Sequence, residues 1–206
     1  MLNSAITLVL NYYYIYMAET PVFPILLIPP KVNNREYVPT ILPMGTGTAP
    51  IGASEKLFED ALVRSFGEWV KPQQMMLPPG HDLHYTADFL IIEPTTGLHF
   101  DIEVDEPISF STGGATHFIG DDDYRNKCFI DAGWVVIRFA EEQVSSQPMR
   151  CCRFIANVLQ KCTGNDIVAK KLSDVPRLDK VKQWSKSQAL KLKKSEYRQS
   201  YLEARK

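Results

Sequence analysis

The chain of 206 residues is 45% hydrophobic and 23% charged, with a formal net charge of -1. These are ordinary globular proportions; they exclude a sequence too polar to bury a core and point to one domain with extensions. The near-neutral total hides an asymmetry: residues 1–160 sum to -9 and residues 161–206 to +8, so the tail is expected either to meet a polyanionic partner or to be a solvated helical face.

Residues 1–17, MLNSAITLVLNYYYIYM, are apolar but show no basic n-region and no A-x-A cleavage site. The apolar run is shorter than the roughly 20 residues of a membrane span. It reads as an over-extended start or an added edge strand, and Met17 opens a more conventional beginning. Seven prolines between Pro21 and Pro50 leave room only for short strands, near 22–28 and 37–42. GTGTAPIG (45–52) is not followed by Gly-Lys-Ser/Thr and is a loop rather than a phosphate cradle. SEKLFEDALVRSF (54–66) predicts a helix with Ser54 as N-cap and Leu57, Phe58, Ala61, Leu62 and Phe66 as its apolar stripe. WVKPQQMML (69–77) reads as a strand that Pro72 demotes in part to an edge or bulge.

HYTADFLIIE (84–93) and LHFDIEVDE (98–106) read as strands around the turn PTTG (94–97). DDDYRNKCFIDAGW (121–134) predicts a helix ending at Gly133, followed by a strand, WVVIRFA (134–140). QPMRCCRFIANVLQKC (147–162) is an amphipathic helix with Cys151, Phe154, Ile155, Val158 and Leu159 inward. From Val175 on, one or two basic helices are expected. The four cysteines, Cys128, Cys151, Cys152 and Cys162, show no C-x-x-C spacing. Neither a disulfide framework nor a zinc ribbon follows, and a reducing cytoplasm is the expected compartment. The organisation is then an N-terminal extension (1–53), a core (54–162) and a basic helical tail (163–206).

The stretch DIEVDEP (101–107) concentrates carboxylates on a strand-forming sequence. With period two, Asp101, Glu103 and Asp105 share one face, and Phe100, Ile102 and Val104 take the other. A polar strand edge facing water would tolerate this. Burial would not, because clustered carboxylates repel and lose hydration, and a divalent metal is a common remedy. The hairpin count sharpens the point. With the turn centred between Thr95 and Thr96, cross-strand partners sum to 191, and Asp88 falls opposite Glu103. Directly opposed residues sit roughly 5 Å apart at Cβ.

In chain order, Glu55 on a first helix, Asp88-Phe89 on one strand, Glu103-Val104-Asp105 on the next, Asp122-x-x-Arg125, and then GWVVIRF (133–139) resemble the PD-(D/E)XK nuclease superfamily, closest to its Vsr-like branch. The resemblance covers residues 54–160. It implies an α/β, restriction-endonuclease-like core with a mixed central sheet flanked by helices, and Mg²⁺-dependent hydrolysis of DNA phosphodiesters, with Mn²⁺ as a substitute. Asp88, Glu103 and Asp105 are the implied metal ligands, and Glu55 is a further ligand or water-positioning group. The usual Lys two residues after the Glu is absent; Asp105 stands there, as in Vsr-like proteins. That removes a cation which commonly orients the water, and Gln74, Gln73 or Lys71 on the preceding strand are the candidates to contribute. His117 is the candidate to assist the water or leaving group, a role that suits titration near neutral pH. His81, His84 and His99 are expected to be structural or exposed.

The resemblance also turns Arg125 toward the site or the phosphate. Arg138, after a β-branched run, suits either a backbone phosphate or a structural salt bridge. In the tail, Lys186, Lys191, Lys194 and Arg198 are interleaved with Trp184, Tyr197 and Tyr201. The lysines are expected to face nucleic acid, while Trp184, Leu190, Tyr197 and Leu202 dock on the body. DNA is the expected partner, with no membrane, and a homodimer is compatible with the sequence. A catalytically inactive nuclease-fold module for DNA binding or assembly, or an RNA-directed enzyme, remains open on residues alone.

Overall fold

The computed structural model describes residues 20–34, 39–48, 53–109 and 111–203; the expectation for residues 1–16 lies outside them. Strands β1 (Val22–Phe23), β2 (Ile25–Leu27) and β3 (Gly45–Thr46) precede helix α1 (Ala53–Phe66). A meander follows: β4 (Val70–Met76), β5 (Tyr85–Ile92) and β6 (His99–Asp105). Helix α2 (Asp123–Asp131) then crosses to β7 (Val135–Ala140), which leads into α3 (Glu141–Ser146), α4 (Pro148–Thr163) and α5 (Ile167–Lys171). The chain ends with β8 (Val181–Lys182), α6 (Lys186–Lys194) and α7 (Tyr197–Glu203).

The main sheet runs β2-β7-β6-β5-β4-β3. Only β6 and β7 pair in parallel, and their connection carries α2, as a parallel crossover requires. The expected mixed α/β sheet flanked by helices is therefore present. On one face Phe89, Ile91, Phe100, Ile102, Ile137 and Phe139 pack against α1 and α4. Phe58 anchors this layer, edge-on to Phe89 and Phe139, each 5.8 Å between centroids. On the other face Met76, Leu90, Trp134 and Val136 pack against Cys128 and Phe129 of α2 and Ala132 just after it. Gly133 has φ of 86°, so the αL position after α2 is the one a glycine adopts without strain, as expected from the sequence.

The β5–β6 register is Phe89–Ile102, Leu90–Asp101, Ile91–Phe100 and Ile92–His99, which is the count to 191. Gly97, at φ 71°, closes the turn, with its N–H on the Glu93 carbonyl at 2.8 Å. All seven residues of β6 are buried, so DIEVD lies in a central strand, not on a water-facing edge. All four cysteines are buried and free, in keeping with the absence of a disulfide pattern.

Several local expectations are corrected. Ser54 does not open α1 as its cap: the helix starts at Ala53, and the Ser54 hydroxyl donates to the buried Glu141 carboxylate. Leu57 is 37% exposed, and the buried stripe of α1 is Phe58, Ala61, Leu62 and Phe66. Residues 39–42 form no strand, and the nearest one is β3. Helices α3 and α5 were not foreseen. Residues 163–203 are not a separate appendage either. β8 pairs with β1, and Trp184 is buried on Phe23, centroids 4.9 Å apart. Its indole N–H donates to the Thr116 carbonyl at 3.0 Å. Arg198 makes two bonds to Glu141, at 2.6 and 2.7 Å, and Tyr201 adds a third at 2.8 Å. Among the expected docking residues Leu190 is exposed, and Leu192 takes its place against the body. Among the described residues, no helix is long and apolar enough to cross a membrane.

Candidate functional site: a divided carboxylate face

The polar face of β6 is divided between two arginines. Asp101, Glu103 and Asp105 are each at most 2% exposed. Arg125, projecting from α2, bonds Glu103 at 2.5 Å and the Thr86 carbonyl at 2.8 Å. Its guanidinium lies over the rings of Tyr85 and Phe129, 5.7 and 5.4 Å from their centroids. Arg138 lies beside Glu103 in the β6–β7 register. It binds both oxygens of Asp105, at 2.9 and 2.6 Å, together with Asp122 at 2.9 Å and Asn126 at 3.1 Å.

The first half of this face carries the expected carboxylate cluster. Continuing the observed register by one residue sets Asp88 opposite Glu103. The ladder changes there. The Asp88 carboxylate accepts the Val104 N–H at 2.8 Å. On its other side the β4–β5 register puts Gln73 opposite, at φ 48°, which interrupts the pairing between Pro72–Phe89 and Gln74–Ala87. Burial pushes the Asp88 pKa well above the ordinary carboxylate range, and the charges of Glu103 and then Glu55 add to it. Glu55, Asp88 and Glu103 thus share one electrostatic neighbourhood, although they come from a helix and two strands.

The remaining predicted site residues fall elsewhere. Gln74 does not turn toward the carboxylates: its amide donates to the Thr46 hydroxyl at 3.0 Å and the Pro72 carbonyl at 2.9 Å. Asp105 is not brought to Asp88 and Glu103 as a third ligand, because both of its oxygens are committed to Arg138. Arg138 is 1% exposed and does not reach an external phosphate; of the two readings open to it, the fold takes the salt bridge. A charged side chain inside VVIRF had to find buried counter-charges, and that was the available signal.

His117 joins the second half of the face. Its Nδ1 lies 2.8 Å from Asp122 and 3.6 Å from Asp105. Burial alone would lower its pKa. The hydrogen bond to Asp122 and the charges of Asp105 and Asp122 outweigh burial and lift it to about 9. His117 is therefore a cation at neutral pH, not the near-neutral acid expected. A folded pKa raised above the unfolded value near 6.5 gives stability that is fully present below that value and lost as pH rises through about 9. Urea denaturation at pH 7 and pH 10 should show a loss of up to about 3 kcal/mol, and His117→Gln should remove most of that difference.

Asp105, His117 and Asp122 are the one trio among the described residues whose ligand atoms all lie within 4.8 Å. The same atoms are already met by the Arg138 guanidinium, so this trio holds a protein cation. The Asp88–Glu103 pair offers hard carboxylate oxygens of the kind Mg²⁺ takes. Burial first, and then the charges of Glu103 and Glu55, raise the Asp88 pKa, and a bound cation would favour its ionised form. Asp88 and Glu103 therefore offer donors of the type a divalent ion takes, and the charge of Glu55 reaches Asp88.

Lys186, Lys191 and Lys194 are exposed on α6, and Lys186 also lies 5.5 Å from the Phe118 ring centre. A groove of about 560 Å³ runs beside them, lined by Lys180, Lys182, Trp184, Lys191, Leu192 and Tyr197. It does not include Asp88 or Glu103. The carboxylate site is thus defined by charge and strand register, not by this groove. No family model, no curated protein and no solved structure matches this chain.

Proposed function

We propose that the chain is a metal-dependent endonuclease that hydrolyses DNA phosphodiesters at Asp88 and Glu103. The observation supporting this reading is the β5–β6 register, which continued by one residue pairs Asp88 with Glu103, together with the charges of Glu103 and Glu55 acting on Asp88. The order helix, three-strand meander, helix, parallel return strand is also the one implied by the resemblance to PD-(D/E)XK nucleases. A divalent ion held there would supply Lewis acidity on the phosphate and an activated water. The chain's own residues have separate tasks. The Val104 N–H orients Asp88, Arg125 orients Glu103, and Glu55, whose charge reaches Asp88, is assigned to positioning a water.

A second reading, a nuclease-fold module without catalysis, draws on Asp105 at the position of the usual lysine and on Arg125 neutralising Glu103. The discriminating experiment incubates the protein with plasmid, single-stranded DNA and RNA in Mg²⁺, Mn²⁺ or EDTA. Cleavage of DNA in either metal and none in EDTA supports the enzyme. Binding without cleavage in every metal favours the module, and cleavage of RNA alone moves the substrate class.

The exposed lysines of α6 are assigned to phosphate contact. Because Trp184 and β8 are structural, the informative variant neutralises charge and deletes nothing. Lys186→Gln, Lys191→Gln and Lys194→Gln together should weaken DNA binding and reduce the slope of log K against log salt by roughly 2–3, about 0.9 per lost contact. An unchanged slope would make these lysines a solvated face.

A further inference from the structure

Behind the proposed site, three buried polar atoms have no hydrogen-bond partner: both oxygens of Asp101 and Nε of Arg125. An interior carboxylate in this condition is uncommon and costly. Asp101 is fully buried and lies on the polar face of β6, two residues before Glu103. The charges of Glu103 and Asp101 both act on Arg125. Its Nη2, however, is spent on Glu103 and the Thr86 carbonyl. The neighbouring carboxylates are committed: Asp105 to Arg138, and Asp122 to Arg138 and His117. One strand face therefore offers Arg125 a filled acceptor, Glu103, and beside it Asp101, which interacts with Glu103 through its side chain and receives no bond from Arg125.

A divalent cation taken up by Glu103 competes with Arg125 for that carboxylate. Expelling a buried guanidinium with no acceptor to receive it is expensive. We propose that Arg125 is a two-position element, holding Glu103 as seen here and passing to Asp101 when Glu103 takes a divalent cation. This inference rests on the metal-binding reading of Asp88 and Glu103. Asp101 is then a positioning residue. It acts through Arg125, lowering the cost of freeing Glu103 by receiving the displaced guanidinium. The rings of Tyr85 and Phe129 give the guanidinium a stacking surface along which to turn.

The test is calorimetric Mn²⁺ binding to the full chain without nucleic acid, in wild type, Asp101→Val, Arg125→Met and the double variant. Asp101→Val removes the acceptor and keeps strand propensity. It is expected to bind Mn²⁺ about tenfold more weakly than wild type. In the Arg125→Met background the same substitution should change affinity by less than about twofold, because no guanidinium remains to be received. Asp101→Asn keeps an amide oxygen as acceptor in a conservative replacement, and should bind with intermediate affinity. A plain electrostatic effect of Asp101 would weaken binding equally in both backgrounds and overturn the proposal. Mn²⁺ binding that ignores both Asp101 substitutions overturns the two-position element and leaves the metal site standing. Absence of Mn²⁺ binding by wild type overturns both.

Discussion

Arg138→Met should destabilise the fold by about 3–5 kcal/mol in urea denaturation, the usual cost of breaking a buried ion pair from one side. The methionine fills most of the volume but leaves Asp105 and Asp122 facing each other, with His117 as their remaining cation. Arg138 is pinned by four hydrogen bonds to Asp105, Asp122 and Asn126 and is 1% exposed, so solvent does not replace them. At about 2–4 °C per kcal/mol for a chain of this size, the melting temperature should fall by roughly 10 °C. Pairing the change with Asp105→Leu should recover much of the loss, because it removes one of the stranded charges. A melting shift under about 2 °C for Arg138→Met would mean the network contributes little.

The two proposed ligands should respond to neutralisation in opposite ways, since their partners differ. Asp88 is pushed toward its neutral form by burial, Glu103 and Glu55. A raised folded pKa in an acid means that ionisation costs stability as pH rises through it. Asp88→Asn keeps an oxygen for the Val104 N–H and removes the charge, so without metal the variant should melt at or above the wild-type temperature at pH 7. Glu103→Gln instead withdraws the counter-charge of Arg125 and should cost roughly 1.5–3 kcal/mol, the range for hydrogen bonds to charged groups. Both variants should lose most of the stabilisation that Mg²⁺ gives wild type by mass action. Cleavage should fall at least about 100-fold in each, since metal Lewis acidity is worth several kcal/mol and each ~1.4 kcal/mol is tenfold in rate. Wild-type cleavage by Asp88→Asn would remove that residue from the site.

What the sequence made legible was local. The hairpin register followed from a four-residue turn and a period-two pattern, and it holds for every observed pair from Phe89–Ile102 to Ile92–His99. Helix α1, the β4–β6 meander, α2 with its terminal glycine, and α4 rest on the same kind of short-range periodicity. What was illegible was the choice among distant partners. Asp105 and Arg138 are 33 residues apart, and Glu141 gathers Ser54, Arg198 and Tyr201 across even longer separations. Alternation put Asp101, Glu103 and Asp105 on one face. It could not say that Arg125 would take the second, Arg138 the third, and no donor the first. The tail's charge was visible, but its docking was not, because Trp184 and Arg198 meet partners more than fifty residues away.

The carboxylate pair is the centre of this account, and one comparison tests it most directly. Wild type and Glu103→Gln are incubated side by side with supercoiled plasmid in Mg²⁺ and in EDTA, with folding of both checked by circular dichroism. The account predicts nicked or linear product from wild type in Mg²⁺ alone and essentially none from the variant. Equal cleavage by the two proteins, or intact plasmid with well-folded wild type in Mg²⁺, would contradict it.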